Sequence, residues 1–217
     1  AGYPLIDVYL TGKELKLAAE VDASVSDFMT TARLYCSGLN FTFNPHRMIL
    51  NKVTDCYLTR EDGERIEIQD DQLYRVVTDL YTGQMLGSVM EMSYGLLKIE
   101  PKDKDGNPIE NLEDQAIMEG DKELKAWDAI ARYMQSFDDT DGDGIANVSE
   151  YYATTHDRKV VDDSKNILDL VKKPNKFTAI IVCIGLIIII IIVLVVSLIR
   201  KIVRKSRKKK NIHNTNR

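Results

Sequence analysis

A run of 23 residues, Phe177 to Ile199, contains no charged side chain and is built mainly of Ile, Val and Leu. As a helix rising 1.5 Å per residue it reaches across a hydrocarbon layer of about 30 Å. A buried helix of a soluble domain is the alternative, but a helix of that length then shows a polar face, and this run has none. It reads as a transmembrane helix. Arg200, Lys201, Arg204, Lys205, Arg207, Lys208, Lys209 and Lys210 follow it directly. Basic flanks stay cytoplasmic, so the expectation is a single-pass protein of the cell membrane, with membrane lipid as a partner, residues 1–176 outside and residues 200–217 inside.

Charge is divided along the same line. Every one of the 33 acidic residues lies at or before Asp169, and the 20 basic residues of 1–176 leave that part at a net −13. A basic tail can bind nucleic acid or anionic lipid, yet its position directly after the span is explained more simply by stop-transfer anchoring, so no nucleic-acid partner is expected. No Leu-Pro-x-Thr-Gly sorting signal precedes the span, so the span is expected to stay in the mature protein. Ala1-Gly2-Tyr3-Pro4 offers no initiator Met, basic n-region or apolar h-region although the topology requires export. The expectation is the C-terminal piece of a longer polypeptide.

Periodicity predicts an α+β domain with a mixed sheet and packed helices over 1–137, followed by the single span. Leu5–Leu10 reads as a strand, Lys13 to about Val21 as a helix, and Leu39–Phe43 with Val53–Leu58 as a hairpin turned at Asn44–Arg47. Arg65–Ile68 and Leu73–Val77 read as strands, Gln84–Met92 as a short helix and Leu96–Ile99 as another strand. Leu124, Trp127, Ala131 and Met134 recur at helical spacing between Lys122 and Phe137, as in an amphipathic helix packed on a sheet. Residues 138–153 form an acidic loop, and 154–176 read as a charged juxtamembrane stalk.

Three blocks in order, Tyr9-Leu10-Thr11-Gly12-Lys13-Glu14-Leu15, Ser37-Gly38-Leu39-Asn40-Phe41 and Leu73-Tyr74-Arg75-Val76-Val77-Thr78, resemble the C-terminal domain of the 5′-nucleotidase family over roughly residues 3–137. The resemblance implies a two-domain hydrolase acting in extracellular nucleotide catabolism. An upstream metallophosphatase domain of the same polypeptide would carry divalent metals that activate water, and the C-terminal domain would clamp the nucleoside.

The chemistry of the first partner is missing from this sequence. Its histidines are His46, His156 and His213, none in an Asp-x-His, Gly-Asn-His or Gly-His-x-His setting, and no P-loop, nucleophile elbow or HExxH motif occurs. This chain alone is not expected to be catalytic. The resemblance places one clamp aromatic ahead of Thr11-Gly12, where Tyr3 stands, and a second after a Gly-Gly-Asp-Gly loop. Here that segment reads Thr82-Gly83-Gln84-Met85-Leu86-Gly87-Ser88, which argues for a reshaped or lost pocket. Tyr81 and Tyr94 are the replacement candidates for holding a nucleotide or nucleoside; half-buried sheet tyrosines are the competing, simpler reading. Asn40, Phe41 and Phe43 follow strand alternation.

Asp139-Thr140-Asp141-Gly142-Asp143-Gly144-Ile145-Ala146-Asn147-Val148-Ser149-Glu150 fits the twelve-residue EF-hand pattern. Asp139, Asp141, Asp143 and Asn147 supply side-chain oxygens, Ile145 a carbonyl and Glu150 a bidentate carboxylate, with Gly144 at the bend. Calcium is the expected cofactor, rigidifying the junction with the stalk. The alternative is a solvated acidic turn, since Tyr151-Tyr152-Ala153-Thr154 is too short for a second helix. Asp103, Asp105 and Asn107 share part of the spacing, but Pro108 stands where Gly is needed.

A hairpin closed with Asn44 opposite Met48 would also set Cys36 opposite Cys56, making a cross-strand disulfide conceivable; two buried thiols is the simpler reading. Functionally, the leading expectation is the membrane-anchored, substrate-side portion of a 5′-nucleotidase-type hydrolase. The rivals are a calcium-stabilised surface module without enzymatic activity, and a tether that spaces something from the bilayer.

Overall fold

Strand alternation and helix capping between them set the first elements. A computed structural model of the chain describes residues 2–30, 33–93 and 95–215. In β1 (Leu5–Thr11), Ile6, Val8 and Leu10 are sealed inside while the residues between them are half-exposed. Thr11 then caps α1 (Gly12–Val25): its Oγ1 accepts from the amide of Glu14, and the Glu14 carboxylate reaches back to the amide of Thr11 at 2.8 Å. A reciprocal cap of this kind stabilises a helix by about 1 kcal/mol.

The chain continues through β2 (Leu39–Phe43), β3 (Val53–Thr59), β4 (Arg65–Glu67), β5 (Leu73–Asp79) and α2 (Leu80–Met92). A 3-10 turn at Leu112–Gln115 leads to the short hairpin of β6 (Met118–Glu119) and β7 (Lys122–Glu123), then α3 (Ala126–Gln135). A second 3-10 turn, Glu150–Ala153, precedes β8 (Lys159–Val161). Ala1–Lys165 forms one compact unit and Asn166–Arg217 another.

Besides the β6–β7 hairpin, two sheets build the first unit. β1 and β5 pair antiparallel, with Tyr9 opposite Arg75 and Ile6 opposite Thr78. The second sheet has the order β4-β3-β2-β8 and is mixed, because β8 runs parallel to β2 while the other neighbours are antiparallel. Ala19 and Ala23 of α1 pack with Leu39, Phe41 and Ile68 in one core cluster, and Ile6, Val8 and Leu80 form another. The fold is α+β, as expected from the sequence, with helices on mixed strands.

Several local expectations change. Leu96–Ile99 forms no strand: it finds no partner, and instead plugs Leu97 and Ile99 into the interior. The helix expected from Lys122 begins only at Ala126, because Lys122 and Glu123 pair with Glu119 and Met118. It is not packed by its apolar face either. No residue of α3 is buried, and Trp127, Ile130 and Met134 are 59%, 61% and 49% exposed.

The β2–β3 register also differs. Cys56 lies opposite Phe41, and a bulge sets Phe43 opposite Val53, because the connection is longer than the expected tight turn. Cys36 is therefore not the cross-strand neighbour of Cys56. Both are free thiols that pack against the same core cluster, and burial pushes the Cys56 thiol up to about 12.

Residues 154–165, expected to begin a hydrated stalk, instead supply β8. Phe41 donates to the carbonyl of Arg158 at 2.9 Å, Lys159 pairs with Asp22 at 2.9 Å, and Asn44 donates to the carbonyl of Ser164 at 2.7 Å. In the second unit, α4 (Ile167–Val171) precedes α5 (Lys176–Thr215), a 40-residue helix. Its stretch Lys176–Arg204 is long and apolar enough to cross a membrane.

Candidate functional site

The entry to β1 and the start of α2 are joined by backbone: the amide of Leu80 donates to the carbonyl of Pro4 at 2.9 Å. Asp79 caps α2, accepting from the Thr82 amide at 3.0 Å and the Thr82 hydroxyl at 2.7 Å. These two constraints carry Tyr81 to Tyr3. Their ring centroids are 5.5 Å apart at an interplanar angle of 35°, and both rings are exposed, 54% for Tyr3 and 43% for Tyr81. Two of the three candidate substrate tyrosines are thus brought together on the surface. Tyr94 lies outside the described residues.

Trp127, which the sequence pattern assigned to helix packing, lies instead against the N-terminal segment at Gly2. The amide of Ala126 donates to the carbonyl of Tyr3, which sets the first turn of α3 beside the N-terminal strand. A Cβ placed on Gly2 would lie 2.7 Å from Cδ1 of Trp127, so the indole rests on glycine backbone. Nothing in the local pattern marks this contact; it depends on the chain returning to β1 after more than a hundred residues.

The two tyrosine rings pack on each other, which leaves no slot between them for a base. The pair presents an outer aromatic face for single-sided stacking. No loop flanks it on the α2 side either: Thr82 to Ser88 is helical throughout. Phe41 is 2% exposed in the core, and Asn40 bonds Gly38 and Thr59, so both are structural.

The acidic loop forms a second centre. Asp139, Asp141 and Asp143 each offer a carboxylate oxygen within 4.8 Å of the others. Gly142 and Gly144 take positive φ of 78° and 85°, which the tight bend requires. Asp139 accepts from the amides of Gly144 and Gly142 at 2.9 and 2.7 Å, and those bonds hold its carboxyl below the usual range. Asn147 folds its oxygen onto the amide and hydroxyl of Thr140, at 2.6 and 2.9 Å. Glu150 opens the 3-10 turn and its carboxylate is not part of the three-aspartate cluster. Ile145 is 68% exposed at the apex.

The ends of the loop are held by an aromatic clasp. Tyr152 bonds hydroxyl to hydroxyl with Tyr133 and packs 5.8 Å from Phe137, while Tyr151 stacks on His156 at 3.9 Å and 16°. His46 instead bonds Asp163 at 2.7 Å. Among the described residues, the three aspartates are the one cluster of three or more His, Cys, Asp or Glu side chains with converging ligand atoms. Three carboxylates on a bend of this geometry fit a hard divalent cation in part, the twelfth-position carboxylate lying outside the cluster.

No curated protein matches the chain. Among solved structures, it is similar to a 5′-nucleotidase precursor from Thermus thermophilus, with 16% identity and a TM-score of 0.49 over 75% of this chain and 26% of that one. It is also similar to an NAD nucleotidase of Haemophilus influenzae, with 21% identity and a TM-score of 0.34 over 47% of this chain. The chain spans 26% and 19% of the lengths of these two proteins. Residues 2–93, from the tyrosine-bearing N-terminal strand to the end of α2, match the family described as 5′-nucleotidase, C-terminal domain.

Proposed function

We propose that this chain is the membrane-anchored, substrate-side part of a 5′-nucleotidase-type hydrolase acting on extracellular nucleotides. The match over residues 2–93 supports the domain, and the exposed pair of Tyr3 and Tyr81, 5.5 Å apart, is the observation that carries the nucleoside role. Stacking a base on such a face is worth about 1–3 kcal/mol. Catalysis belongs to a metallophosphatase domain with its own divalent metals, expected upstream in the same polypeptide. The apolar part of α5 is the proposed anchor, with the acidic unit outside and the basic tail in the cytoplasm.

In this reading the acidic loop takes calcium. Asp139, Asp141 and Asp143 would hold the ion, joined by Asn147, the Ile145 carbonyl and Glu150 once the 3-10 turn closes. The cation would offset the repulsion among the carboxylates and stiffen the path from α3 to β8. Its part is structural.

A second reading, a calcium-stabilised surface module without enzymatic activity, is favoured by one observation: the segment Thr82–Ser88 is helix where the resemblance leads one to expect a glycine loop. Titrating the full chain with adenosine and AMP, followed by thermal unfolding, separates the two. Stabilisation that disappears in a Tyr3→Ala/Tyr81→Ala variant supports the nucleotidase reading. Stabilisation by calcium alone, with none from either adenosine or AMP, supports the module.

A further inference from the structure

The outward face of β1 carries a second arrangement. Asp7 and Tyr9 point away from the core beside Val77 and Arg75 of β5. Arg75 clamps Asp7 with two nitrogens, Nε at 2.9 and 2.8 Å and Nη2 at 2.5 Å from its carboxylate oxygens. The chain returns twice to the other edge of β1. Lys102 and Tyr9 exchange backbone hydrogen bonds at 2.9 and 2.8 Å, and the amide of Ile117 donates to the carbonyl of Leu5 at 2.8 Å. Between these returning segments and the sheet face lies an open groove of about 520 Å³, lined among others by Asp7, Tyr9, Arg75, Lys104, Asp114 and Gln115. That is within the range of small-molecule sites, about 300–1,000 Å³.

The groove has no excess of positive charge: the carboxylates of Asp7, Asp103 and Asp114 stand against Arg75 and Lys104. Asp7 neutralises Arg75. Asp103, also on the wall, spends its carboxylate on its own turn, accepting from the amides of Asp105 and Asn107 at 2.9 Å and from Nδ2 of Asn107 at 3.0 Å. Lys104 and Asp114 are of opposite sign, and among the described residues neither their side chains nor that of Gln115 has a hydrogen-bond or ionic partner. What remains is a set of planar polar groups (guanidinium, carboxylate, amide) around an aromatic ring. A phosphate would meet carboxylates with no net positive field to hold it, and an apolar ligand would strip water from groups it cannot pair. A neutral ligand with vicinal hydroxyls meets neither objection: each diol would bridge the two polar atoms of a planar side chain, and its C–H face would lie on Tyr9.

We propose that this groove binds a neutral saccharide, with Tyr9 as the platform and Arg75, Asp114 and Gln115 as the hydroxyl-binding groups. The site stands apart from the Tyr3–Tyr81 pair, so it holds whether or not the nucleoside reading does. The test uses the full chain in lipid nanodiscs, with cellotriose and chitotriose as probes and inorganic phosphate as the comparison, read by saturation-transfer-difference NMR on the ligand. Saturation transfer to at least one trisaccharide is expected. It should weaken about tenfold in an Asp114→Ala/Gln115→Ala variant, whose fold is checked by circular dichroism, and persist in Tyr3→Ala/Tyr81→Ala. Absence of transfer to both sugars, an unchanged signal in the Asp114/Gln115 variant, or displacement of sugar by equimolar phosphate would each overturn the proposal.

Discussion

Lys102 donates from Nζ to Oε1 of Glu14 at 2.6 Å and so fastens the first turn of α1 to a segment 88 residues further along. The pair is nearly enclosed, with side-chain exposures of 14% and 11%. Burial alone would push the Glu14 carboxyl up. The Lys102 ammonium, with the amide and hydroxyl of Thr11 and the amide of Glu100, outweighs it and holds the group below its ordinary 4.5. A carboxyl depressed in the folded state stabilises above its unfolded pKa, and that contribution is lost as pH falls through the folded one. Glu14→Gln should therefore lower unfolding free energy by about 3 kcal/mol at neutral pH, and the gap from the parent should narrow in acid below the folded pKa. Urea unfolding at both pH values checks it; a gap of unchanged size in acid would remove the ionic explanation.

Gly12 is required by a close approach. A Cβ at this position would sit 2.0 Å from the carbonyl oxygen of Gln69, while the Gly12 amide donates to the carbonyl of Gln72 at 2.9 Å. Backbone on one side and backbone on the other leave no room to relax. Gly12→Ala should cost about 3 kcal/mol, although Ala is the better helix former, and denaturant midpoints will show it.

Trp127 should be cheap to lose. A buried tryptophan costs about 3–5 kcal/mol on truncation, but this one is 59% exposed and rests on Gly2. Trp127→Ala is expected to destabilise by about 1 kcal/mol. A loss of several kcal/mol by the same denaturation assay would mean that the outward face of α3 is covered in solution.

The acidic loop should respond to calcium. Ion binding to the folded state alone, at about a hundredfold excess over Kd, adds about 2.7 kcal/mol. Calcium should raise the thermal midpoint of the full chain and slow proteolysis between Phe137 and Tyr151, and Asp141→Asn should erase both effects. Identical midpoints in calcium and in chelator would leave a solvated turn.

Inserting a charge at the middle of α5 tests the anchor. Ile190 is flanked by five further isoleucines. Ile190→Arg should add about 3 kcal/mol to insertion and shift the chain from the carbonate-resistant membrane fraction to the soluble one. Undiminished membrane retention would count against a spanning helix.

Much of the fold was legible because it is written in local rules. The apolar run of Leu5–Leu10, the β-branched and aromatic residues of Leu73–Val77 and the uncharged run in α5 each specify their element within a few residues. Leu96–Ile99 misled because a short apolar run buries equally well as a plug. α3 misled because an amphipathic pattern says that a face is apolar, not that anything covers it.

The tyrosine candidates divide in the same way. Tyr3 and Tyr81 carry no local signal of being neighbours; the Leu80–Pro4 hydrogen bond and the cap at Asp79 bring them together. The acidic loop was readable as a pattern of oxygens, yet the placement of Glu150 away from the three aspartates follows from the 3-10 turn and its aromatic clasp.

Sequence by itself determined the apolar helix, the segregation of charge along the chain and the identity of most strands, since these depend on side-chain chemistry at spacings of one to four residues. Tertiary structure alone decided the β2–β3 register, the recruitment of Lys159–Val161 as a parallel edge strand and the outward turn of Trp127. Those outcomes rest on contacts between residues far apart in the chain, where packing and backbone pairing compete across the whole domain and no short window records which one prevails.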